Sequence, residues 1–202
     1  MKIKFLMLAL TMFSVAPFAQ ADLISLTNST PVVIPDNDPA GAASGIYLSP
    51  ENASGYVTDL SLTFTLAGNP AAWAGDYTLE LIHIGEDNSS QSATLFTLLP
   101  YGNNGFDDVL VTSASGSLTG TSADYSATPI TGTLGNVDLS TFQNISAAGE
   151  WVLQATDSQG LNQGALVDWT LTLDVVPEPG SIALAVWGGL MGLVALTRAG
   201  KI

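Results

Sequence analysis

Cysteine is missing from all 202 residues, so no disulfide can staple the chain, and an exported form must rely on packing or on a bound metal. Lysine and arginine are missing from everything between Asp22 and Val176; the four that exist are Lys2, Lys4, Arg198 and Lys201. That middle region carries seventeen carboxylates and a single histidine. Nucleic acid is excluded as its partner, because phosphate binding runs on Lys and Arg. Adhesion to anionic lipid is disfavoured for the same reason, while calcium, cationic surfaces and polycationic partners stay compatible. Acidity also keeps an exported protein soluble. The middle lacks a helical apolar period and any internal repeat of 20–50 residues.

What is present begins at the two ends. Residues 1–21 have the three parts of a secretory signal: Lys2 and Lys4, an apolar stretch over 5–15, and the small residues Ala19 and Ala21 around Gln20. Cleavage after Ala21 leaves Asp22 as the mature N-terminus. The apolar stretch is too short for a bilayer core that takes about 20 helical residues. At the other end, 176–202 reads Val176-Pro177-Glu178-Pro179-Gly180-Ser181, then an uncharged run over 182–197, then Arg198 and Lys201. The prolines fix φ and keep the motif extended for a processing enzyme. The run over 182–197 predicts a transmembrane helix of roughly 24 Å at 1.5 Å per residue, with the basic end on the cytoplasmic side.

In its Pro-Glu-Pro motif, apolar helix and short basic end, this tail resembles the PEP-CTERM sorting signal of Gram-negative bacteria. The resemblance implies handling by the membrane enzyme exosortase at Pro177, Glu178 and Pro179. It also implies a passage through the inner membrane, then release to the outer surface or extracellular matrix.

Residues 22–175 make one domain of ordinary size, large enough for a single core. Period-2 alternation recurs between turn clusters, the pattern of short strands in an antiparallel sandwich. Asp59-Leu60-Ser61-Leu62-Thr63-Phe64-Thr65-Leu66 is the clearest case, with apolar even positions. Further strands are predicted at 77–84, 93–99, 109–112, 151–156 and 167–174, with shorter ones at 45–48 and 115–120. Gly68-Asn69-Pro70 and Gly102-Asn103-Asn104-Gly105 read as turns.

Four segments resemble the P domain (P/Homo B) that follows the catalytic domain of proprotein convertases and many bacterial subtilisin-like proteases. The opening Ile34-Pro35-Asp36-Asn37-Asp38-Pro39-Ala40-Gly41 looks like the family's entry motif. Residues 57–64, with Trp73-Ala74-Gly75-Asp76-Tyr77, are similar to its paired strands around a Gly-Asp turn. Gly105-Phe106-Asp107-Asp108 is similar to its Phe-Asp-Asp loop, and 149–157 with 164–172 is similar to its closing hairpin. The resemblance implies an all-β, jelly-roll-like antiparallel β-sandwich. It also implies work beside a subtilisin-like serine protease encoded separately, since no catalytic domain is present in this sequence.

No catalytic residue is expected. His83 lies in phase with Tyr77, Leu79 and Leu81 on a predicted strand and reads as structural, with no serine in a nucleophile motif beside it. Calcium takes several oxygen ligands from flexible acidic loops, which makes Asp36, Asp38, Asp107 and Asp108 the candidate metal ligands. Asp36 has a competing reading as an Asx turn and Asp108 as a strand-entrance cap. Trp151 and Trp169, at strand spacing among apolar neighbours, read as core, with stacking on a sugar ring as the alternative. The function implied is an exported, non-catalytic binding or structural module. Its partners are signal peptidase, exosortase and a surface protein or exopolysaccharide. A protease accessory or a carbohydrate-binding sandwich is the alternative.

Overall fold

A computed structural model describes residues 21–68, 72–99, 105–116, 118–119, 129–161 and 163–177. Residues 1–20 of the expected signal, Glu178, Pro179 and the helix expected at 182–197 lie outside the described residues. Among the described residues no helix is long and apolar enough to cross a membrane. The described chain is all-β, with one 3-10 turn at Ser140–Phe142.

The strands are β1 (Asp22–Asn28), β2 (Val32–Ile34), β3 (Asp38–Leu48), β4 (Tyr56–Gly68), β5 (Tyr77–Ile84), β6 (Ser90–Thr97), β7 (Phe106–Val111), β8 (Leu118–Thr119), β9 (Thr131–Leu134), β10 (Gly149–Asp157) and β11 (Gly164–Val176). They form two sheets. One runs β1-β11-β4-β7-β9-β8, with β2 also on β11; the other runs β3-β10-β5-β6. All pairings are antiparallel except β7 with β9.

Alternation explains the two layers. On β4, Leu60, Leu62, Phe64 and Leu66 are buried while the residues between them are less so. On β10, Trp151, Leu153 and Ala155 point inward, as do Trp169, Leu171, Leu173 and Val175 on β11. Each strand thus gives one face to a shared core and one to water. Both tryptophans are fully enclosed, which removes them as sugar-stacking platforms. A stacked and tilted trio of Phe64, Phe96 and Phe106 fills one end of the core, at centroid distances of 5.0–6.0 Å.

The segments expected to form a closing hairpin do not pair. β10 and β11 lie in opposite sheets, and β4 and β5 are likewise divided. Alternation reports which face of a strand is buried, and both arrangements bury the same face; only packing selects the neighbour. The strand expected to reach residue 99 stops at Thr97, where Leu98 turns to φ 45° and leaves the sheet. A bulge opposite Leu79 and Glu80 turns both Leu95 and Phe96 inward. β1, β2 and β9 are strands the periodicity passes over.

Two glycines are required by geometry. Gly149 (φ 136°) opens β10 where a Cβ would fall on the Ile84 carbonyl oxygen, and Gly105 (φ 90°) sits against the Leu66 carbonyl oxygen.

The sheets are also joined by a polar contact: the Trp169 indole N–H on β11 donates to the Ser44 hydroxyl on β3 at 2.9 Å, both groups buried. Ser44→Ala leaves that N–H without its partner in a dry site. The expected loss is about 1–3 kcal/mol of unfolding free energy, measured by denaturant melts of the wild type and the variant.

Candidate functional site

The loops gather at opposite ends of the sandwich. The described parts of the connections, 35–37, 72–76, 98–99 and 158–161, lie at one end, and the chain's exits at Asp22 and Val176 lie at the other.

At the first end stands a buried carboxyl that sequence reading did not single out. Asp157 is fully enclosed at the inward end of β10; its Oδ1 accepts the Gln159 N–H at 3.0 Å and its Oδ2 has no hydrogen-bond partner. Burial, with the charges of Asp76 and Asp36 nearby, pushes its pKa up, against the lowering effect of the Gln159 N–H and Tyr77 hydroxyl. Burial and the same three carboxylates raise the Tyr77 phenol. The signal was available: Asp157 falls in phase with Trp151, Leu153 and Ala155, an inward position where a carboxylate is out of place.

The expected metal ligands are dispersed. Asp36 accepts the Leu161 N–H with both oxygens, at 3.0 and 3.2 Å, and so ties the β2–β3 turn to the β10–β11 loop. Asp38 Oδ1 accepts the Ala40 N–H at 2.9 Å, within its own turn. Asp107 and Asp108 are exposed on β7, where Asp108 at φ 45° donates its N–H to Thr65 Oγ1 at 3.4 Å. Among the described residues no three His, Cys, Asp or Glu side chains are grouped to hold a metal ion. Of the residues expected to be processed, Ala21 and Pro177 are described, just before the first strand β1 and just after the last strand β11.

At the other end lies a half-open cleft of about 350 Å³ between the start of β4 and the segment 136–143. That volume is at the lower end of the range for small-molecule sites. The segment alternates: Val137, Leu139 and Phe142 enter the core, while Asn136, Asp138, Ser140 and Gln143 face out. Two backbone bonds hold it to β4, Asn144 N–H to Val57 O at 2.8 Å and Val57 N–H to Ile145 O at 2.9 Å. A third, Asn136 N–H to Ala114 O at 2.9 Å, fixes its far side. The wall is therefore preformed. Asp59 and Asp138 both line the cleft, with Ser113, Asn136, Ser140 and Gln143 as further polar groups. The Ser140 hydroxyl (2.6 Å) and N–H (3.1 Å) hold the Asp138 carboxyl below the usual range, so it stays ionised.

His83 lies on β5 and does not line the cleft. It is buried, 4.4 Å from the Trp151 ring centroid, and its Nε2 lies 3.2 Å from the Ala148 carbonyl oxygen while Nδ1 has no partner. Donation to that carbonyl places the proton on Nε2, and the bare Nδ1 faces packed side chains. This is a structural histidine, with no serine hydroxyl bonded to it.

No family model matches the chain, and no curated protein matches it. Among solved structures it is similar to one titled "Structure of PfGH50B", at 12% identity and a TM-score of 0.30, over 80% of this chain and 24% of that one. The chain thus spans about a quarter of that structure's length, and a likeness this low carries no argument about function.

Burial lowers the His83 pKa from its ordinary 6.5, the Ala148 carbonyl and Asp87 opposing only in part. The unfolded chain therefore takes up a proton first as pH falls, and stability contributed above pH 6.5 is lost below it. The melting temperature of the wild type is expected to drop between pH 7 and pH 5, and His83→Gln to flatten that part of the profile.

Proposed function

We propose that this chain is an exported, non-catalytic module of the P-domain type, with a jelly-roll connection, that exosortase cuts near Pro177-Glu178-Pro179. It is delivered through the inner membrane to the cell surface or extracellular matrix, where its role is binding or structural. The observation that carries the reading is the fit of the folded unit between its two addresses. Strand β1 begins at Asp22, the residue after the signal, and β11 ends at Val176, the residue before the motif. Asp22 and Val175 are paired across these strands, so both processing points leave one corner of the sandwich. Signal peptidase and exosortase then act on chain that the fold does not use.

Calcium is part of this reading, taken up by oxygens of the acidic loops, Asp36 among them, with loop carbonyls and water completing its shell. A second reading, a saccharide-binding sandwich, is favoured by the polar cleft beside β4.

Mass spectrometry of the protein from the host surface should find Asp22 at the N-terminus and no peptide from 182–202; in a strain without exosortase the tail should persist. An intact tail on the surface form would overturn the sorting assignment. Calcium is expected to raise the melting temperature of the exported protein and excess chelator to lower it, since a ligand bound only by the folded state stabilises it. Asp36→Asn should reduce that difference.

A further inference from the structure

We propose that the cleft between β4 and 136–143 binds the protonated amine of an amino sugar, with the ammonium group between Asp59 and Asp138. The proposal rests on the reading of the chain as an exported binding module and names the chemistry of its ligand.

Charge decides the class. Both carboxylates face a cleft in a protein whose described residues include no Lys or Arg, so no side chain can neutralise them. An anionic saccharide would be repelled, and a neutral one would enter at the cost of desolvating two charges. An ammonium group forms charge-assisted hydrogen bonds with both. A metal ion is a poorer occupant, since the lining has only these two carboxylates and no histidine.

The remaining lining selects a sugar over a bare polyamine. Ser113, Asn136, Ser140 and Gln143 offer hydroxyls and amides, which donate to and accept from ring hydroxyls. Leu60, 6% exposed, supplies the apolar contact on the β4 side. Asp59 Oδ1 accepts the Leu60 N–H at 2.9 Å and Asp138 Oδ1 accepts from Ser140, which fixes one oxygen of each carboxylate and leaves the other for a ligand. The wall is held by backbone bonds rather than by a mobile loop, so little ordering cost opposes binding.

The test is calorimetric titration of the full chain in detergent with glucosamine and its β-1,4 oligomers, beside their N-acetylated forms, glucose oligomers and spermidine. Saturable binding of the amine-bearing sugars, weakening with salt, is expected. Asp138→Asn and Asp59→Asn should each weaken it about tenfold, the scale of one charge-assisted hydrogen bond, at unchanged melting temperature. Glu51→Gln removes the same charge at an exposed position outside the cleft and should change nothing. Equal binding of the N-acetylated sugar, equal displacement by spermidine, an equal effect of Glu51→Gln, or no binding would overturn the proposal. Failure here with normal tail removal leaves the export reading standing; intact binding with a retained tail does the reverse.

Discussion

Strand β11 is hydrogen-bonded along nearly its whole length on both sides, to β4 over Gly164–Val176 and to β1 and β2 on the other flank. Everything else in the larger sheet is positioned from it. Its inward residues Trp169, Leu171, Leu173 and Val175 join the core, and its indole reaches the opposite sheet through Ser44. In a chain with no cysteine, and no Lys or Arg between Asp22 and Val176, neither disulfides nor Lys or Arg ion pairs can share that task. Backbone pairing and apolar burial carry it.

The same strand delivers the chain to its exit. Because β11 is an interior strand of its sheet, a pull on the segment after Val176 loads two rows of hydrogen bonds together. The N-terminus emerges beside it, so the loop end with Asp36, Asp76 and Asp157 faces the opposite way, and the cleft lined by Asp59 and Asp138 sits near the exits. The two candidate regions are thus separated by the length of the sandwich.

Much of the fold was legible in the residues. The strand expected over 77–84 matches β5 end to end, and the alternation over 59–66 falls within β4. Trp151 and Trp169 were expected in the core and are there. Of the candidate ligands, Asp36 stands in a turn as expected, whereas Asp38 begins β3 and Asp107 and Asp108 lie within β7, and their neighbours were not visible. Asp36 meets Leu161, which lies far along the chain, and Asp157, not singled out in the sequence, pairs with Tyr77 on the neighbouring strand β5.

The sequence by itself determined the strand faces and a middle without Lys or Arg, because alternation and charge are local properties of the chain. Tertiary structure alone decided that β10 and β11 part into opposite sheets, that Asp157 is enclosed, and that Asp59 and Asp138 share a cleft. Those outcomes depend on which strand packs beside which. That choice is made by fitting side chains across the core, between residues that local pattern does not connect.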